Sequence, residues 1–165
     1  LARTVEAAGF SVYRGMRDDV VRRYVEAAAV NDLDHVVRIT GDCPFVDAES
    51  LDHCIKQAQV AAPFDLATTK GNFPIGIDYE IYPAPLMADL DRADALTSEE
   101  REHLTLHLYR KDSDFRTVAL EPAERWKSDR CYTIDTPEDL ARANKIVDTL
   151  GTNTFPIAEL VALPK

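Results

Sequence analysis

The sequence predicts an α/β domain around a mostly parallel sheet, and three features carry that prediction. Short β-branched runs alternate with amphipathic helical stretches along the chain. Two helices open on strong start signals, Thr97-Ser-Glu-Glu100 and Thr136-Pro-Glu-Asp139. The 165 residues, 45% hydrophobic and 29% charged, suffice for one sizeable core. No linker, repeat or low-complexity tract interrupts them, so a single domain over residues 1–165 is expected.

Taken in order, Leu1 to Gly9 reads as the last turns of a helix closed by glycine, with its beginning before Leu1. Phe10 to Tyr13 is a short strand candidate, and Asp18 or Asp19 opens a helix with Val20, Val21, Tyr24, Val25 and Ala28 on one face. The run His35 to Thr40 is apolar on both faces apart from Arg38, the pattern of an interior parallel strand. After a loop, Asp47 caps a helix marked by Leu51, Cys54, Ile55, Ala58 and Ala62. Phe64 to Thr68 is a weak strand, and Lys70 to Gly76 a loop. Asp78 to Tyr82 alternates acidic with large apolar residues, as a strand with one wet face does, and Pro83 and Pro85 close it. The capping box at Thr97 predicts a helix to about Arg110, with Leu104, Leu108 and Tyr109 inward. Cys131 to Ile134 reads as a strand ahead of the helix from Thr136 to Leu150, which turns Leu140, Ala143, Ile146, Val147 and Leu150 inward.

Composition excludes several classes. A formal net charge of −10 repels nucleic acid and anionic membranes at long range. The three cysteines show neither zinc-site nor disulfide spacing. No window approaches the ~18 apolar residues of a membrane span, and no signal-peptide pattern is present. A cytoplasmic protein without nucleic-acid or membrane partners is expected.

Ligands of open α/β sheets bind at the carboxyl ends of strands. Asp42, in Thr40-Gly-Asp-Cys-Pro44, and Asp135, after Ile134, fall at such places. Carboxylates contributed by distant parts of the chain suit Mg2+, which completes its octahedron with phosphate and water. An Asp after a strand also serves as a helix cap or turn residue, and that reading stays open for both. Arg38, a lone charge in an apolar strand, needs a buried partner such as Asp42 or Asp135, or an anion. Asp78 and Glu80 can bond sugar hydroxyls or simply face water. Arg101 can meet a carboxylate or phosphate in bidentate fashion. His103 can bond a substrate or move a proton, or pack as an ordinary helix histidine.

Four segments carry a resemblance: Arg38-Ile-Thr-Gly-Asp-Cys-Pro-Phe-Val-Asp47, Ile75-Gly-Ile-Asp-Tyr-Glu80, Ser98-Glu-Glu-Arg-Glu-His-Leu-Thr105 and Tyr132-Thr-Ile-Asp-Thr-Pro-Glu-Asp-Leu140. With Val12-Tyr-Arg-Gly15 and Asp18-Asp-Val-Val-Arg-Arg-Tyr24 upstream, they stand in the order of the signature segments of the cytidylyltransferases of the spore-coat polysaccharide and acylneuraminate type, which the chain resembles over nearly its whole length. The resemblance implies a three-layer, Rossmann-like nucleotidyltransferase fold. It also implies a reaction in which a hydroxyl of a sugar or sugar acid attacks the α-phosphate of CTP, releases pyrophosphate and leaves a CMP-sugar. Mg2+ would be the cofactor, with Asp42 and Asp135 its ligands and Arg38 beside them at the catalytic centre. Asp78, Glu80, Arg101 and His103 would contact substrate. A homodimer serving polysaccharide or glycoconjugate synthesis follows from the same resemblance.

The sequence departs from that family in two places. Related sugar-acid enzymes carry Asp-x-Asp before the Thr-Pro motif, where this chain has Thr133 at the first position. The family's opening strand and basic glycine-containing loop have no counterpart among the six glycines here, so the first strands are expected to be lacking. The sheet should then expose an open edge or borrow one from another copy. Three readings follow: a fragment of an active enzyme, a truncated homologue acting as a non-catalytic sugar-binding or interaction module, or an α/β domain with a phosphate-binding crevice alone.

Overall fold

A computed structural model describes residues 1–112 and 114–164. The chain forms two compact units, Leu1–Val36 with Pro83–Ser113, and Val37–Tyr82 with Asp114–Lys165. No helix among the described residues is long and apolar enough to cross a membrane.

In the first unit, α1 (Ala2–Ala7) ends ahead of Gly9, whose φ of 85° lies in the left-handed region as anticipated. Phe10 to Tyr13 forms no strand: the segment pairs with no neighbouring strand among the described residues, and Phe10 is exposed. Helix α2 (Val20–Val30) starts at Asp19, whose carboxylate accepts the Arg22 N–H, and it buries Val21 and Ala28. It packs on α4 (Ala84–Arg92) and α5 (Ser98–Glu102). Helix α4 goes unpredicted because Pro83 and Pro85 read as terminators. In the structure Pro83 is the N-cap and Pro85 sits in the first turn, where a missing N–H costs nothing.

The capping box at Thr97 and Glu100 is present, but the predicted helix to Arg110 is not continuous. Helix α5 stops at His103, which leaves helical geometry at ψ 77°, and a 3₁₀ turn at Leu106–Tyr109 follows. The break lets both Leu104 and Leu108 reach the interior, each 1% exposed. Arg101 lies in a carboxylate cage, donating to Asp19 at 3.1 Å, Asp91 at 2.8 Å and Asp94 at 3.0 Å, and so ties α5 to α2 and α4. Arg22 completes the network through Asp91 at 2.9 Å.

The second unit holds the larger core, whose aromatic members are Phe45, Phe64, Phe73, Tyr79, Trp126, Tyr132 and Phe155. The four-stranded sheet has the order β1 (His35–Arg38), β3 (Glu80–Pro83), β2 (Leu66–Thr68), β4 (Thr117–Ala119). Strand β4 runs parallel to β2, whereas β3 runs antiparallel to it with Ala67 opposite Ile81. The class is α/β and the sheet is mixed, because the short return through residues 69–79 brings the chain straight back beside β2. Two strand expectations are corrected. Strand β1 lies at an edge with Val37 36% exposed, so it is not buried on both faces. Strand β3 has no wet face, since Glu80 is 3% exposed.

Asp47 organises the helices of this unit. One carboxylate oxygen accepts the Ser50 N–H at 2.8 Å to start α3 (Ala48–Ala61), and the other accepts the Ile157 N–H at 2.9 Å to start α7 (Ile157–Ala162). Buried Ser50 links this cap to the Tyr79 hydroxyl at 2.6 Å, and burial pushes that phenol up to about 12. Helix α6 (Pro137–Leu150) begins at the predicted Thr136 N-cap, which forms a capping box with Asp139, and ends at Gly151 with φ 70°. Ala143 is buried and Ile146, Val147 and Leu150 pack on the core, but Leu140 stays 49% exposed and corrects the inward face at its first position.

Glu100 provides a pH test of the first unit. The Thr97 backbone N–H and then the His107 ring hold its carboxyl down at about 2, from an ordinary 4.5. A depressed carboxyl stabilises the fold above its unfolded pKa, and the contribution disappears as pH falls through the folded value. Glu100→Gln should therefore be less stable than wild type at pH 7, with the gap in urea midpoint closing between about pH 4.5 and pH 2. A gap that persists unchanged at pH 2 would assign the effect to packing alone.

Candidate active site

Three chain segments of the second unit interlock beside the sheet. The Tyr132 N–H donates to the Ile75 carbonyl at 2.7 Å, within an isolated parallel bridge between Ile75 and Cys131. The Ile134 N–H donates to the Asp42 carbonyl at 2.9 Å. Cys131 to Ile134 is thus a single bridge and extended backbone rather than the expected strand, because its hydrogen bonds go to two loops instead of a ladder. The crossing requires Gly76. Its φ is +91°, and a Cβ there would stand 2.5 Å from the Thr133 nitrogen and 2.6 Å from the Tyr132 carbonyl carbon.

The interlock brings the Asp42 carbonyl to the N–H of Ile134, the residue before Asp135. Asp42 is half-buried, and the described contact of its carboxylate is the Cys43 thiol at 3.8 Å. Asp135 is exposed with its backbone fixed: the Asp139 carboxylate accepts the N–H groups of Asp135 at 3.1 Å and Thr136 at 3.0 Å. The Thr136 hydroxyl leads the interactions that hold the Asp139 carboxyl at about 2. Asp78 lies in the Gly76 turn, where it accepts the Gly76 N–H at 2.9 Å. Burial pushes the Asp78 carboxyl up, and the charges of Glu80 and Asp42 add to that, while the Gly76 N–H and Lys70 oppose it.

Arg38 finds its partner in Glu80, at 2.5 Å, across the β1–β3 pair. Lys70 approaches the other Glu80 oxygen at 3.5 Å. Glu80 is therefore a buried counter-ion and not the water-facing hydroxyl binder expected of it. The structure gathers Arg38, Asp42, Asp78, Glu80 and Asp135 in the second unit. Arg101 and His103 belong to the first unit, where Arg101 is held by three carboxylates and His103 is an exposed helix end. Lys70 was missed by sequence reasoning, although its place in a glycine-flanked loop two residues after a strand was a usable signal. The basic residues Arg130, Arg142 and Lys145, which line a cleft of about 660 Å³ along α6, were missed as well.

The fold is that of a nucleotidyltransferase-type α/β domain with one mixed sheet. A cytidylyltransferase family model matches residues 2–160. The spore coat polysaccharide biosynthesis protein SpsF of Bacillus subtilis is 36% identical over 160 residues, 94% of this chain and 65% of that protein. A molybdenum cofactor guanylyltransferase of Rhizobium leguminosarum is 28% identical over 76% of this chain and 58% of its own length. Among solved structures, a cytidylyltransferase from Leptospira borgpetersenii superposes with a TM-score of 0.86 at 29% identity, covering 96% of this chain and 67% of its own. The chain belongs to the cytidylyltransferase family, and it spans a little under two thirds of the Bacillus protein.

Gly76→Ala should disrupt the interlock. The strained φ alone costs about 1–3 kcal/mol, and the backbone atoms in the way are not side-chain ends that swing aside. A lowered urea midpoint together with faster hydrogen exchange at the amides of Tyr132 and Ile134 is expected. An unchanged midpoint and unchanged exchange would show that the crossing does not depend on glycine.

Proposed function

We propose that the chain serves a cytidylyltransferase reaction in which a hydroxyl of a sugar or sugar acid attacks the α-phosphorus of CTP. The new oxygen–phosphorus bond forms as the bond to the β-phosphate breaks, pyrophosphate leaves, and the hydroxyl proton passes to solvent. The product is a CMP-sugar for polysaccharide or glycoconjugate assembly, made in the cytoplasm. Family membership supports the nucleotide, and the name of the Bacillus relative supports the polysaccharide context.

The observation that carries this reading is the 2.9 Å bond from the Ile134 N–H to the Asp42 carbonyl, which joins two carboxylate-bearing segments from opposite parts of the chain. Their donor set fits magnesium. Both are hard oxygens, and among the described residues neither carboxylate is in an ion pair. Magnesium favours one or two carboxylates with phosphate and water over an all-protein cage. Asp42 and Asp135 would hold the ion, which when bound supplies positive charge to the α-phosphate as pyrophosphate departs. Arg38 acts in this reading as a positioning residue that fixes Glu80, leaving Asp78 to accept a hydrogen bond from the acceptor's hydroxyl.

Titration calorimetry of CTP into the chain tests this, with magnesium and with chelator, beside Asp42→Asn and Asp135→Asn. CTP should bind only with magnesium, and each variant should weaken binding at least about tenfold. Absent binding, or binding indifferent to magnesium and to both substitutions, would overturn the assignment.

A further inference from the structure

The 660 Å³ cleft of the second unit carries a chemistry that the metal-holding carboxylates do not use. Its volume falls in the range of small-molecule sites. One wall is helix α6, on which Arg142, Lys145 and Thr149 follow at intervals of three and four residues and therefore share a face. Arg130 contributes a second cation, fixed where its guanidinium donates to the Leu163 carbonyl at 2.6 Å. The floor is apolar, formed by Ile146, Leu160 and Leu163.

The charges of this cleft are not equivalent. Arg142 is spent on Asp139, at 2.8 Å, and on the Thr133 carbonyl at 3.4 Å. Asp139 in turn is spent on the α6 cap and on Arg142. Asp135 stands at the mouth that adjoins the interlocked loops. What remains among the described residues is Lys145, exposed and in no ion pair, and the Arg130 guanidinium, bonded to a neutral carbonyl. Two positive charges above a hydrocarbon floor, in a protein of net charge −10, form a local inversion of the field. Such a surface selects by two terms at once: charge-assisted bonding to an anion and burial of an apolar body.

We propose that this cleft is a binding site for an amphiphilic anion, a phosphate or carboxylate head on an apolar body, seated with its head at Lys145 and Arg130 and its body on Ile146, Leu160 and Leu163. Neutral amphiphiles lack the first contact and inorganic phosphate lacks the second. Its test, run in chelator, does not depend on the CTP reading.

Calorimetry in chelator, with n-octyl phosphate, octanoate, octyl glucoside and inorganic phosphate each added below micelle-forming concentration, tests the proposal. Octyl phosphate or octanoate should bind at least about tenfold more tightly than either octyl glucoside or inorganic phosphate. The better of the two names the head group. Lys145→Glu, a change at an exposed helix position, should weaken that binding at least about tenfold, whereas Asp42→Asn should leave it within about twofold. Circular dichroism of Lys145→Glu verifies the fold, and Leu163→Asp gives a second loss through the floor. No binding by either anion, equal binding of octyl glucoside, or full binding by Lys145→Glu would each overturn it.

Discussion

The backbone crossing at Gly76 is the constraint on which the candidate site depends. Only a residue without a Cβ fits where the Thr133 nitrogen and Tyr132 carbonyl carbon approach so closely. Because the chains touch there, the N–H groups of Tyr132 and Ile134 reach the carbonyls of Ile75 and Asp42, two bonds between loops that a sheet ladder would otherwise have supplied. Their consequence is electrostatic as much as structural. Asp42 and Asp78 are held near enough to interact, and the Asp78 carboxyl, raised first by its burial, is raised further by the charges of Glu80 and Asp42.

A second division of labour sorts the acidic residues. Glu80 is buried in the sheet, where a lone carboxylate is untenable, and Arg38 and Lys70 meet it from two sides. That pairing takes both cations toward Glu80. Asp42 and Asp135, facing loops and water, keep their oxygens open. The same sequence class, an acid at or near a strand end, therefore yields a structural counter-ion in one case and open donors in the others. Depth of burial separates them, and depth is a property of the tertiary structure.

This explains which features were legible in the sequence. Asp19, Asp47, Thr97 and Thr136 all cap the helices read from them, because a cap is decided within four residues. The proximity of the Asp42 and Asp135 segments followed from the resemblance and from the strand-end rule. Features settled by distant neighbours were not legible. Alternation at Asp78 to Tyr82 implied a wet face, yet β3 lies between β1 and β2, and Glu80 is covered. Phe10 to Tyr13 has strand composition, but composition supplies no partner strand. The helix after Thr97 has the pattern to continue, and its break at His103 reflects the burial of Leu104 and Leu108 together. Asp47 was readable as a cap for α3, whereas its second bond, to Ile157 110 residues away, was not.

Helix α6 joins the two chemical environments of the second unit. At its first turn, Asp139 accepts the N–H of Asp135 and pairs with Arg142, so one carboxylate fixes the backbone of a metal-ligand candidate and cancels the nearest cation of the cleft. Negative charge therefore remains at Asp135, while positive charge lies further along the chain, at Lys145. Asp135 lies just before α6 and lines the same cleft as Lys145, so the two regions adjoin, with the Asp139–Arg142 pair at 2.8 Å neutralised between them.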